Sequence, residues 1–386
     1  MLNSLYIKNY RNLKELKIDS LGQVNLITGK NNTGKSSILE AISIYATKGS
    51  GGFILQAQEK RGESFPPTDV AIDPNGLEKN IRSIASMFFN REIKFGIQNA
   101  IIIGENTDIE KLFAEDSYAN LDTAIIINFV KYIEELRKDI NGNTFTSPQI
   151  IDNPAEQLYD NKLGLVISAT GNYSKFFPLD DNNFTNIFRR DISSNTAKIQ
   201  FIMSGSIVRA NNGILFDNII KKNQEKYVID ALKIIGQNVE KIAFVMDESS
   251  VRKERIAVIK LSNHNEMIPL KSMGDGINRI LTIILALINC ENGYLLIDEF
   301  ENGLHYSVQE KLWKIIFKLA DELNIQVFAT THSRDCISSF SKVLNDSQYT
   351  VKGKLIRLDN INDTIKSVEF TTDELQVISE QYIEVR

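Results

Sequence analysis

Residues 23–46 read QVNLITGKNNTGKSSILEAISIYA, and the fold turns on how that stretch is parsed. QVNLIT has the apolar density of a buried strand. GKNNTGKS (29–36) follows without a gap, and SILEAISIYA then carries a helical pattern. The eight central residues satisfy G-x-x-x-x-G-K-[ST], in the strand–loop–helix context that motif requires. Gly29 and Gly34 let the backbone turn successive N–H groups inward, and the following helix start adds partial positive charge. Lys35 is then placed to reach β- and γ-phosphates, and Ser36 to offer a hydroxyl to Mg²⁺. A chance Gly/Asn turn would satisfy the same eight letters, so the rest of the chain has to decide.

Three further stretches bear on it. YLLIDEFENGLHY (294–306) ends an apolar strand in Asp298 and Glu299, with Glu301 and His305 close behind. Adjacent unpaired carboxylates resist ionisation, so a positive partner is expected among them. A metal held through Asp298 and Ser36, with Lys35 nearby, supplies it. Glu299 is then free to polarise an attacking water. Alone, the pair reads equally well as a cap on the next helix. SMGDG (272–276) precedes a long apolar helix; it is either an N-cap with a flexible turn or a second anion-binding nest. One nucleotide does not need two cradles in one chain, but two chains sharing two nucleotides do. VFATTHS (327–333) is a second apolar strand ending in His332, one crossover helix after the first. That order sets the strand ends side by side, where open α/β sheets bind ligands.

Bulk properties narrow the class. The chain has 386 residues, 42% hydrophobic and 24% charged, in the ordinary globular range. A net charge of −5 argues against nonspecific nucleic-acid or membrane coating, although a local basic patch stays open. Residues 1–20 lack an unbroken apolar core, and ILTIILALI (280–288) is too short to span a bilayer. Cys290 and Cys336 sit in apolar surroundings and fit free thiols in a reducing cytoplasm. Three histidines and two cysteines leave no zinc-type spacing.

Along the chain, SLYIKNY and LKELKID read as a hairpin with Arg11-Asn12 at its turn. Residues 48–76 read as a long loop, LEKNIRSIASMFF as helix, and EIKFGIQ and AIIIG as strands. INFVKYIEELRKDI (127–140) reads as helix inside an insertion spanning 105–200. A helical run lies near 214–236, and strands follow at KIAFVMD, RIAVIKL and MIPL. LSNHNEM (261–267) reads as a hairpin turn rather than an HNH nuclease motif. The tail gives two strands, a short helix and YIEVR. The expected division is 1–104 and 201–386 as two parts of one head, with 105–200 as a partner or oligomer surface.

The four motifs, in this order, resemble the ATP-binding-cassette ATPase head, the class of SMC proteins, RecF-type repair ATPases and overcoming-lysogenization-defect (OLD) ATPases. NYRNL, ENGLH, THS and YIEVR resemble the OLD-like branch more narrowly. The resemblance implies an α/β fold: a P-loop head with an N-terminal β-rich lobe, a parallel-sheet core and a mixed insertion. It implies ATP against Gly29, Asn31, Asn32, Thr33, Gly34, Lys35, Ser36 and Ser37, with Arg11 touching the nucleotide or merely turning the hairpin. It implies Mg²⁺ at Ser36 and Asp298, with Gln98 as the Q-loop residue, and Glu299 and His332 as catalytic groups. Ser272, Gly274 and Gly276 resemble the signature that meets the partner's γ-phosphate. The sequence departs from transporter cassettes at Met273, where they carry glycine, and at His305, where they carry aspartate.

The implied function is a cytoplasmic Mg-dependent ATPase that pairs through shared ATP in a homodimer or higher oligomer. Many OLD proteins carry a TOPRIM nuclease domain after the head, whereas about fifty residues follow THS here. The expectation is a defence-system sensor or scaffold with a separate effector; a RecF- or SMC-like DNA-binding ATPase is the alternative. A non-enzymatic module with a decayed site is disfavoured, because every expected catalytic position is filled.

Overall fold

The computed structural model describes residues 1–63, 76–106, 124–151, 162–169, 173–181, 183–191, 196–204, 209–235, 238–247, 254–262, 266–346, 351–371 and 374–375. β1 (Leu5–Tyr10) and β2 (Leu13–Ile18) form the expected hairpin, with Arg11 in the left-handed region at its turn. β3 (Val24–Gly29) is buried throughout and leads into α1 (Lys35–Ala46). α2 (Gly51–Lys60), α3 (Leu77–Ala85) and β4 (Ile101–Gly104) follow, then β5 (Ile125–Lys138), β6 (Thr144–Ile151), β7 (Lys162–Ala169), β8 (Tyr173–Pro178), α4 (Phe184–Arg190) and β9 (Ile199–Ile202). The remainder runs α5 (Arg209–Lys221), α6 (Glu225–Ile235), β10 (Val239–Met246), β11 (Arg255–Leu261), β12 (Ile268–Pro269), α7 (Asp275–Asn289), β13 (Tyr294–Ile297), α8 (Tyr306–Glu322), β14 (Gln326–Thr331), α9 (Arg334–Leu344), β15 (Gly353–Ile361) and β16 (Thr364–Phe370).

The central sheet has the order β16-β15-β3-β14-β13-β9, with every pair parallel except β15–β16. Its middle strands are apolar on both faces because both faces are covered. Leu295, Ile297, Val327 and Ala329 point into a core shared with α7, α8 and α9. Leu296 and Phe328 point the other way, into a core with α1 and the antiparallel sheet. That second sheet runs β2-β1-β4-β5-β7-β8, with β6 on β5. The helix after the phosphate loop therefore lies between two sheets. This explains why SILEAISIYA is apolar nearly all round. The small sheet β10-β11-β12 packs against α5 and α6, and its members match the three expected strands.

Several local expectations are corrected. Residues 127–140 are not helix: β5 runs through most of them, paired with β4, β6 and β7. The helix-forming letters EELRK lie at its exposed end, while Ile127, Phe129, Val130 and Tyr132 gain burial only by sheet pairing, which overrides propensity. EIKFGIQ is not a strand. Gly96, at φ 88°, breaks it, and one bridge from Phe95 to Phe129 remains. Within 48–76, α2 replaces part of the expected loop. Gly51 and Gly52 serve close packing there: a Cβ would lie 2.6 Å from Phe188 O and 2.7 Å from Arg189 O. The run near 214–236 is two helices, separated near Asn223 in the left-handed region. The tip of LSNHNEM lies outside the described residues, and β11 and β12 beside it pair antiparallel. YIEVR also lies outside them. Among the described residues no helix is long and apolar enough to cross a membrane.

Candidate functional site

A cleft of about 550 Å³ opens over the α1 N-terminus. It is lined by Asn31, Asn32, Gly34, Lys35, Ser36 and Ser37 from the loop, Asp298 and Glu299 from the end of β13, and Arg11 and Asn12 from the hairpin turn. Gly34, at φ 84°, has no room for a side chain: a Cβ would lie 2.7 Å from Leu13 Cδ2. Thr33 Oγ1 donates to Lys30 O at 2.8 Å, and Lys35 Nζ donates to the carbonyls of Gly29 and Lys30, both at 2.8 Å. No loop carbonyl neutralises that ammonium. Burial lowers the Lys35 pKa, partly opposed by Asp298, Glu299 and Glu301. A half-buried cation facing a cleft at a helix N-terminus is a fit for polyphosphate.

Ser36 Oγ lies 3.1 and 3.0 Å from the two Asp298 carboxylate oxygens, so hydroxyl and carboxylate converge although 262 positions separate them. That donor set, hard oxygens only, fits Mg²⁺ completed by phosphate and water. Among the described residues, no group of three or more His, Cys, Asp or Glu forms a self-contained metal cluster. Thr330 holds the acids in place. Its buried hydroxyl donates to Asp298 Oδ1 at 2.6 Å and accepts the Glu299 N–H at 2.9 Å, while its carbonyl accepts from Phe300 N at 2.9 Å. Glu299 sits at φ 49°, a left-handed conformation costly for a non-glycine residue. Phe300 is fully buried and stacks on Trp313 at 4.0 Å between centroids, which pins the loop. Its neighbours diverge: Glu299 lines the cleft, whereas Glu301 turns to β14.

The other expected residues divide. Arg11 is buried at the cleft wall, with Nε 2.7 Å from Glu40 and Nη1 2.7 Å from Glu63, and its Nη2 has no partner. His332 stands at the end of β14, more than half exposed. Ser272 lies exposed on a 3₁₀ turn, Gly274 is open to solvent at φ 104°, and Gly276 packs toward Gly303 O. None of these three lines the cleft of its own chain. Gln98 is not brought to the cleft: it is exposed in a short 3₁₀ turn, its carbonyl accepting from Asn9. His305 caps α8, accepting from Ser307 N.

Sequence reasoning missed three residues. Asn12 ties the hairpin turn to the loop, donating to Asn32 O at 3.2 Å and accepting from Ser37 Oγ at 2.9 Å. Thr330 is one letter in an apolar strand. Arg279, in the α7 helix, is buried; it donates to the carbonyls of Asp298 (3.2 Å), Glu299 (3.4 Å) and Met203 (3.4 Å). Burial lowers its pKa, opposed by Asp298, Glu299 and Glu301. A charged letter at a helical position facing the core, in GDGINRILTIILAL, was the signal available for it.

The family model described as an AAA ATPase domain matches residues 1–337. An "ATP/GTP phosphatase" of Helicobacter pylori is 24% identical over 375 residues, covering 93% of this chain and 92% of that one. A "DNA replication and repair protein RecF" of Rickettsia prowazekii is 24% identical over 382 residues, covering 88% and 96%. The crystal structure of an SMC head bound to the C-terminal winged-helix domain of ScpA aligns over 96% of this chain and 98% of that one, at a TM-score of 0.47 and 11% identity. With a family match over most of its length and a phosphate loop facing an Asp-Glu strand end, the chain belongs to the AAA ATPase domain family.

Proposed function

We propose that the protein is a Mg-dependent ATP-hydrolysing switch whose complete sites form between two copies of the chain. The observation that carries this is the convergence of Lys35, Ser36, Asp298 and Glu299 in one cleft, with Ser272, Gly274 and Gly276 outside it. Loop amides and Lys35 bind the phosphates. Ser36 and Asp298 hold the metal, which when bound neutralises charge developing on the phosphate oxygens. The Glu299 carboxylate orients the attacking water and takes its proton. His332 reads the γ-phosphate from the neighbouring strand end. The exposed signature turn is then free to cap the nucleotide of the opposite chain, so ATP favours the paired state by binding it better than the open one. Hydrolysis assayed with and without Mg²⁺, beside Lys35→Ala, tests the core of this. Unchanged ATP affinity in that variant would defeat the phosphate-loop reading.

Its biological setting is a bacterial defence complex of OLD-like type, in which this chain senses or scaffolds and a separate protein carries the destructive activity. The support is the motif set NYRNL, ENGLH and THS, with no nucleophile motif or His/Cys metal spacing in the sequence. Incubating the purified chain with plasmid, Mg²⁺ or Mn²⁺ and ATP is the test: nicking abolished by a substitution in this chain refutes a separate effector. The RecF relative, matched over nearly its whole length, favours a second reading as a DNA-associated ATPase. Strong, salt-dependent DNA binding by the chain alone would select it.

A further inference from the structure

Glu301, third of the clustered carboxylates, does not line the phosphate cleft. Its side chain is 12% exposed and turned to the end of β14. Oε2 accepts the Thr331 hydroxyl at 2.8 Å. Oε1 accepts the His332 backbone N–H at 3.0 Å and lies 3.1 Å from His332 Nδ1. One carboxylate thus holds the backbone of the histidine that the ATPase reading assigns to the γ-phosphate and lies against its ring.

Resting on that reading, we propose that Glu301 is the positioning residue of His332, setting both its rotamer and its tautomer. An ionised carboxylate only accepts hydrogen bonds. Oε1 lies 3.1 Å from Nδ1, so the tautomer with its proton on Nδ1 meets attraction there, whereas the other sets two lone pairs against each other. Nε2 is left as the nitrogen available to a ligand, on the ring edge away from Glu301. Without Glu301 an exposed imidazole rotates and exchanges its proton between nitrogens, so the phosphate meets the intended atom only part of the time. The arrangement also ties the two strand ends together. Thr330 grips Asp298 and Glu299, while Thr331 and His332 grip Glu301. Movement of His332 on sensing phosphate is thereby passed to the loop that bears Glu299. Glu301 lies outside the lining of the phosphate cleft and acts through His332.

The test is a double-mutant cycle on the full chain, reading steady-state turnover and the affinity of a non-hydrolysable ATP analogue. Glu301→Ala is expected to lower kcat roughly 10- to 100-fold, by analogy with removal of the partner that orients a metal-bound histidine. Analogue affinity should stay within about threefold. Glu301→Gln, which keeps one oxygen acceptor, should recover part of the loss. In a His332→Ala background, Glu301→Ala should cost nothing further, because its only route is gone. Nitrogen NMR at alkaline pH, where imidazoles are neutral, adds a readout independent of activity. With only three histidines, His332 is assigned by its loss in His332→Ala. The Nδ1–H tautomer is expected in the parent chain and a mixture in Glu301→Ala. Additive losses, an unchanged tautomer, or wild-type turnover in either His332→Ala or Glu301→Ala overturn the proposal. The ATPase reading itself stands or falls separately, on whether Lys35→Ala still binds the analogue.

Discussion

Thr330→Val removes one oxygen and keeps the β-branched shape that β14 packs around. The hydroxyl is fully buried and makes two hydrogen bonds, to Asp298 Oδ1 at 2.6 Å and from Glu299 N at 2.9 Å. Losing a bond to a charged group costs about 1.5–3 kcal/mol, and leaving a donor unpaired costs about 1–3 kcal/mol where it is buried, less for the part-buried Glu299 N–H. The upper bound is therefore roughly 2.5–6 kcal/mol, reduced by whatever the loop recovers through relaxation. Glu299 stands at φ 49°, so relaxation should take it toward an ordinary backbone conformation and away from the cleft. If only ~1.4 kcal/mol of the loss falls on the reacting geometry, turnover drops about tenfold. Single-turnover hydrolysis beside analogue binding measures this, with thermal unfolding as the check on folding. We expect at least a tenfold slower step, affinity within about threefold, and a lowered Tm. A variant hydrolysing at the parent rate would refute the claim that Thr330 holds the acids in working position.

Glu299→Gln should keep ATP binding and abolish turnover, with the trapped state visible by light scattering as a doubled mass. At Gly274 a Cβ would meet nothing within 4 Å in its own chain. Gly274→Val should therefore impair hydrolysis but not single-site binding, and mixing it with Lys35→Ala chains should restore partial activity through one complete shared site; confirmed mixed pairs without rescue count against sharing. Lys35→Met should leave the nucleotide-free protein as stable as the parent or more so, while losing the Tm rise on adding ATP. The sign follows from the lowered Lys35 pKa. Below it the ammonium is charged in both states and its burial penalises the fold; the penalty fades as pH rises through that value. Thermal scans with and without ATP decide the point, and a large nucleotide-free loss at neutral pH contradicts it.

The loop GKNNTGKS was legible because its chemistry is contiguous, and Asp298 and Glu299 because a buried strand rarely ends in two acids. What could not be read were groups whose purpose depends on a distant partner. Asn12 matters only because the hairpin turn lands on Asn32 and Ser37. Thr330 matters because β14 lies beside β13 in register. Gly51 and Gly52 suggested a loop until α4 was seen packed against them. The exposed half of β5 carries good helix formers, and it is held as strand by pairing with β6, continuing the β4 and β7 pairings of the buried half. Gln98 follows only from the family resemblance, and with the backbone broken at Gly96 its segment lies outside the cleft.

The strand order of the central sheet has a consequence for how the protein is made. β3, which carries the phosphate loop, pairs with β14 on one side, Val24 against Val327, and with β15 on the other, Val24 against Gly353. Both neighbours are translated long after it. At ordinary synthesis rates of about 5–20 residues per second, the interval is roughly 15–60 s. Throughout it a strand that is wholly buried in the finished fold has no sheet to join, and the loop it supports lacks Asp298 and Glu299, so the nascent chain has no complete cleft with which to hold nucleotide. The antiparallel pairing of β1 with β2 and β4 can proceed meanwhile. Nucleotide competence therefore arrives late and all at once, when β14 and β15 close around β3. Early truncation leaves a fragment that displays the loop's letters but cannot do their chemistry, and whose exposed β3 is a target for chaperones or for its own kind.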